Sequence, residues 1–124
     1  MGQLFNAGRD VVANTGYPDT LWQGLSSSTP NVNGTNITEP SGSGYARQSV
    51  TVGAAAGGDG KRENTNGTTH AAVGGTWGVQ THSVYFTASS GGTAISFDDL
   101  DAPRDMVDGA SMDFAVGAID FDLS

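Results

Sequence analysis

The last stretch of the chain, SMDFAVGAIDFDLS (111–124), alternates apolar and polar side chains twice over. Met112, Phe114 and Val116 form one series, and Ile119, Phe121 and Leu123 form a second, with the parity reversing at Gly117. A period of two puts successive side chains on opposite faces of an extended backbone, so this is a strand pattern and not a helical one. An extra residue in one strand swaps its faces, and a β-bulge at Gly117 accounts for the reversal. Asp113, Asp120 and Asp122 on the solvent face discourage pairing between free edges.

The same period recurs upstream. In TLWQGLS (20–26), Leu21, Gln23 and Leu25 share one face, with Trp22 and Gly24 on the other. In YARQSVTV (45–52), Tyr45, Arg47, Ser49 and Thr51 lie opposite Ala46, Gln48, Val50 and Val52. GTWGVQTHSVYFT (75–87) is the longest β-like stretch. Its apolar parity changes between Trp77/Val79 and Val84/Phe86, which requires a twist, a bulge or burial on both faces. SSGG (89–92) reads as a hairpin turn leading into TAISF (93–97), where Ile95 and Phe97 alternate. Three segments read as connections: the polar run 27–44, punctuated by Pro30, Pro40 and Asn33-Gly34; the run 53–70, which lacks apolar periodicity; and the acidic run 98–110. Only LFNAGRDVVA (4–13) has helical spacing, and Gly8 weakens it. No internal repeat is present.

Gly, Ser and Thr supply 44 of the 124 residues, a composition suited to short strands joined by turns and unsuited to helices. The predicted fold is all-β: one antiparallel β-sandwich domain over 1–124, jelly-roll-like, with a short N-terminal helix or arm (1–19) and long Gly/Ser/Thr-rich loops.

Charge narrows the function. Thirteen acids against five Lys and Arg leave a net charge of −8, so phosphate backbones are repelled and nucleic acid is not an expected partner. Eleven of the acids are Asp, and Lys61 is the sole lysine. Short hydrated carboxylates suit solubility at high salt, where screening reduces self-repulsion. With no cysteine, disulfides and thiolate metal sites are excluded. No apolar run is long enough to span a bilayer, and Met1-Gly2-Gln3-Leu4 does not begin a secretory signal. Membrane insertion is therefore not expected.

Catalytic motifs are missing. SGSG (41–44) lacks the Lys-Ser/Thr of a P-loop and opens a strand rather than a helix. His70 and His82 lack partners at metal-ligand spacing, and His82 reads as a packed or hydrogen-bonded strand residue. No G-x-S-x-G elbow anchors a hydrolase triad. Asp98, Asp99 and Asp101 could offer loop carboxylates to Ca²⁺ as a cofactor; they lack EF-hand order, and a solvated acidic loop is the plainer reading. Asn33, Asn36 and Asn66 each head an N-glycosylation sequon. Trp22 and Tyr85, with Trp77 and Tyr45, could stack against a glycan, although aromatic residues in strands are more often core.

Four blocks occur in order: GLSSSTP (24–30), TEPSGSGYARQSV (38–50), GTWGVQTH (75–82) and FAVGAIDFDL (114–123). Together they resemble a family of small tailed-virus proteins labelled tail fibre proteins. GAAAGGDGKREN (53–64) departs from the apolar segment usual there. The resemblance implies a non-enzymatic virion structural protein on the exterior of the tail or head, as a fibre, decoration or turret. It implies a symmetric oligomer, trimer or pentamer, with other capsid or tail proteins as partners. A carbohydrate-binding module for attachment to host-surface glycans is the alternative. Combined with the Asp-rich composition, the resemblance suggests a virus of a halophilic host, with an archaeal virus among the readings. Tyr45, Arg47, Trp77 and His82 are the strand and interface candidates, and Arg47 is expected to pair with a carboxylate.

Overall fold

The computed structural model describes residues 17–55, 58 and 60–121. The helix expected at 4–13 and the Leu123 end of the last alternation lie outside them. The described residues carry eight strands and no helix: β1 (Thr20–Ser26), β2 (Gln48–Thr51), β3 (Arg62–Glu63), β4 (Thr68–Ala71), β5 (Gly78–Phe86), β6 (Ala94–Met106), β7 (Ser111–Phe114) and β8 (Asp120–Phe121). They form one four-stranded sheet, in the order β2-β1-β5-β6, and two ribbons, β3-β8 and β4-β7. The resolved pairings β1-β5, β3-β8 and β5-β6 are antiparallel. Where a jelly roll would have two four-stranded sheets, the described residues have one.

The chain divides into two compact units, one of residues 1–20, 50–67 and 114–124 and the other of 21–49 and 68–113. In the second unit, β5 is the central strand. Gln80, His82, Val84 and Phe86 are buried along one face, and Ser83 and Tyr85 along the other. Burial on both faces explains the parity change in the sequence. Leu21, Gln23 and Leu25 of β1 are buried on a shared face as the alternation predicts. The hairpin expected at SSGG joins β5 to β6. Thr87 N donates to Thr93 O, and Gly91 and Gly92 hold φ of 62° and 70°, a region open to glycine.

β6 runs through what reads in sequence as an acidic connection. Two features make it a workable sheet edge. Gln80 faces Arg104 and His82 faces Asp99, so Leu100 to Pro103 bulge out opposite Thr81 alone. Pro103 lacks an amide donor and sits inside that bulge. Asp98, Asp99, Asp101 and Asp105 then line an exposed edge with negative charge, which opposes pairing with another strand.

The first unit is small, and buried polar side chains crosslink it. Val50 and Val52 alternate inward, while Ala55, Ile119 and Phe121 complete its apolar interior. Arg62, only 2% exposed, spreads its fork over four oxygens among the described residues. Nε donates to Gly53 O at 2.8 Å, one terminal nitrogen to Tyr17 O at 2.7 Å, and the other to Val52 O at 3.0 Å and Asp19 Oδ1 at 2.9 Å. Asn64 ties down the last turn. Its Nδ2 donates to Asn66 O and Ala115 O, and its Oδ1 accepts from Ile119 N.

Three expectations are corrected. The strand expected from Tyr45 begins at Gln48, because Gly42, Ser43 and Gly44 hold φ of 71°, 53° and 79° and the chain is still turning. The connection 53–70 contains β3 and the start of β4, short strands whose polar residues carry no period-two signal. Gly117 lies in a turn closed by Ala118 N donating to Ala115 O, not in a bulge. The flanking strands pair with different partners, and Val116 is 65% exposed instead of buried.

Replacing Arg62 by Ala strands three backbone carbonyls and is expected to lower the unfolding free energy by about 3 kcal/mol in urea titrations. Arg62→Lys should recover only part of this, because an ammonium group cannot reproduce the planar fork.

Candidate functional site

The SGSG run has a geometric role. Three consecutive left-handed residues turn the Ser43 carbonyl so that it accepts from Val73 N at 2.9 Å and from the Trp77 indole Nε1 at 3.0 Å. Glycine adopts this region without strain, and of these three residues only Ser43 carries a side chain into it. Gly75 packs against Ser43, where a Cβ would come within 3.2 Å of the Ser43 Cβ.

The turn delivers Tyr45 and Arg47 to Glu39. Arg47 Nε donates to Glu39 Oε2 at 3.0 Å, and a terminal nitrogen donates to Oε1 at 2.7 Å, a bidentate fork. The other terminal nitrogen donates to Ala88 O at 2.9 Å and Gly91 O at 2.8 Å, which fastens the β5–β6 hairpin. The guanidinium carbon sits 3.4 Å from the centre of the Phe86 ring. Tyr45 Oη donates to Glu39 Oε2 at 2.6 Å and accepts from Leu25 N at 3.1 Å, while its ring meets Trp77 edge-on at 5.2 Å. Gly24 makes room: a Cβ there would lie 2.7 Å from Tyr45 Oη and 3.1 Å from the Phe86 ring.

Burial pushes the Glu39 carboxyl up, but the bonds from Arg47 and Tyr45 and the guanidinium charge outweigh it and hold the group below its ordinary value. Burial raises Tyr45 strongly, and the hydrogen bond to Glu39 adds to this. The hydrogen bond to Glu39 raises Arg47. All three are locked in their charge states at neutral pH, so none is poised for proton transfer. Their polar atoms are turned towards one another. A shallow groove of about 420 Å³ is lined by Glu39, Tyr45 and Arg47 themselves, together with Pro40, Ala46, Ser89 and Ser90.

Two further polar clusters occupy the same unit. Gln23 Oε1 accepts from Thr68 Oγ1 at 2.6 Å and lies 2.9 Å from His70 Nε2; Gln23 Nε2 donates to Tyr85 Oη, which also contacts Ser83 Oγ. Burial lowers His70 to about 4 and raises Tyr85 to about 12. His82 Nε2 is 2.8 Å from Asp99 Oδ1, and its Nδ1 is 2.7 Å from Thr81 Oγ1. A carboxylate only accepts, so Nε2 donates to Asp99.

The aromatic and acidic candidates are dispersed. Tyr85 is buried and cannot stack on a glycan; Trp22 is half-buried on β1, and Trp77 is engaged with Tyr45 and Ser43. Asp98, Asp99 and Asp101 lie on β6, not in a loop, and the neighbours Asp98 and Asp99 face opposite sides. Among the described residues, no three His, Asp or Glu side chains group closely enough to hold a metal ion. Of the sequon residues, Asn33 and Asn36 are exposed, while Asn66 accepts from Thr51 N. Sequence reasoning missed the roles of Glu39, Gln23 and Arg62. Glu39 stood out as one of only two glutamates, but its partners are set by the fold.

Gly24→Ala is expected to cost about 2 kcal/mol of stability, because the Cβ must displace Tyr45 or Phe86; chemical denaturation measures it. His70 gives a pH test. Above 6.5 it is neutral in both folded and unfolded chains. Between 6.5 and about 4 only the unfolded chain takes up the proton, so stability falls with pH through that window. Glu39, held below its ordinary value, adds a further loss only at lower pH. His70→Gln should flatten the urea midpoint between pH 6.5 and 4.5 relative to the parent chain.

Residues 4–122 match the family described as podophage GP4 fiber I protein gp80. No curated protein matches the chain. Three of the four blocks that pointed to a tailed-virus fibre, 24–30, 38–50 and 75–82, supply residues to the Glu39 cluster, and over nearly its whole length the chain belongs to this podophage fibre protein family.

Proposed function

We propose that the protein is a non-enzymatic structural component of a tailed virus, carried on the exterior of the tail as part of a fibre. It works there as a symmetric oligomer, trimeric or pentameric, in contact with other tail proteins. The observation that carries this reading is the match of residues 4–122 to a podophage fibre protein family, and the internal pairing of the motif cluster accords with it. Glu39, Tyr45 and Arg47 direct their charges and hydrogen bonds at one another and at neighbouring backbone.

Exposed Val32, Val73, Val79, Val107 and Val116 give the surface apolar positions that contacts between copies would cover. The family membership favours the tail over the head exterior. The glycan-binding alternative is weakened by the burial of Tyr85 and the engagement of Trp77, and Ca²⁺ binding by the separation of Asp98 from Asp99. The acidic, lysine-poor composition supports a saline setting.

Antibody labelling of intact virions, read by electron microscopy, tests the location: density along the tail is expected, and labelling confined to the head overturns it. Light scattering coupled to size exclusion at high and low salt should show a single closed oligomer. A strict monomer at high concentration in both would remove the assembly part of the proposal.

A further inference from the structure

The chain contains two Asn-Gly pairs, Asn33-Gly34 and Asn66-Gly67, and the structure treats them differently. We propose that Asn33 is a site of spontaneous succinimide formation in the folded protein and that Asn66 is protected. In this reaction the Gly34 amide nitrogen attacks Asn33 Cγ. A new N–Cγ bond forms, the Cγ–Nδ2 bond breaks, and ammonia leaves with the proton given up by the Gly34 amide. Water then opens the ring at either carbonyl to give aspartate or isoaspartate. The net change is hydrolysis of one amide, with no oxidant or reductant.

Three features at Asn33 assist it. Its Oδ1 accepts from Thr35 Oγ1 at 2.7 Å and from Thr35 N at 3.3 Å. These two donors stabilise the negative charge that develops on Oδ1 during attack, as an oxyanion hole does. The leaving Nδ2 has no hydrogen-bond partner among the described residues, so its departure breaks nothing else. Gly34 holds φ of 80°, and the space a Cβ would occupy is open, its nearest neighbour being Ala94 O at 3.8 Å. One bond opposes reaction: Gly34 N donates to Asn31 O at 2.9 Å, within an exposed turn.

At Asn66 the local structure holds the side chain and the following glycine in place. Oδ1 accepts from Thr51 N at 2.7 Å, Nδ2 donates towards Gly67 O at 3.4 Å, and the Asn66 carbonyl accepts from Asn64 Nδ2. A Cβ at Gly67 would lie 3.1 Å from Phe114 O, so the glycine backbone has little room to rotate. Ring closure there must break the bonds that hold the 64–67 turn.

The reaction would alter a surface. Asn31, Val32, Gly34, Ile37, Ile95 and Phe97 line an apolar groove of about 280 Å³. Aspartate or isoaspartate at 33 places a new negative charge at the turn bordering that groove and removes a sequon.

The test is incubation of the full chain at mildly alkaline pH, followed by peptide mass mapping for amide-to-acid conversion, with a urea-unfolded control. In the folded protein, conversion at Asn33 should exceed that at Asn66 by roughly tenfold or more, while the unfolded control converts both at similar rates. Thr35→Val should slow conversion at Asn33 by roughly fivefold, the effect of one neutral hydrogen bond, with the unfolded rate much less affected. Equal folded rates, or faster conversion at Asn66, overturn the assignment. An unchanged folded rate in Thr35→Val overturns the role of the Thr35 hydroxyl.

Discussion

The Glu39 carboxylate is the point on which the second unit is assembled. It draws together the end of the long loop through its own backbone, the SGSG turn through Tyr45, and the β5–β6 hairpin through Arg47. A half-buried bidentate pair gains far more than a surface pair, because less water competes and two parallel bonds fix its geometry. The remaining guanidinium donors go to backbone carbonyls, and the cation lies over Phe86, so the desolvation that usually offsets such a pair is compensated on every side. A site arranged in this way holds structure together.

That cluster exists only because glycine is placed where backbones approach. Gly24 lets Tyr45 and Phe86 close over β1, and Gly75 lets the Trp77 segment lie on Ser43. The left-handed Gly42-Ser43-Gly44 run turns a carbonyl into a double acceptor. Three of the motif blocks, 24–30, 38–50 and 75–82, thus contribute contact surfaces to one cluster, separated in the chain by loops.

Both units share a second trait, an interior crosslinked by polar side chains. Apolar residues make up 36% of the chain, too few to fill two small cores with hydrocarbon alone. Arg62 and Asn64 in one unit, and Gln23 with Thr68, His70 and Tyr85 in the other, satisfy backbone and side-chain groups that would otherwise be buried without partners. Specificity follows, since each such group accepts few alternative neighbours. At the exposed edge the opposite device operates: bulge, proline and carboxylates make β6 a poor template for further pairing.

The sequence by itself determined the class of fold and the family. Period-two patterning over β1, β5 and the chain end, glycine-rich turns and four ordered motif blocks are local signals that survive without knowledge of partners. It also implied that Arg47 needs a carboxylate. Only the tertiary structure decided which one, because Glu39 is eight residues away and reaches Arg47 through a left-handed turn that no periodicity reports. The same holds for β3 and β4, whose strand character comes from the strands they pair with and not from any pattern of their own. The acidic 98–106 segment became a strand because β5 supplies its ladder, and the charge that marked it as a loop is what an exposed edge requires.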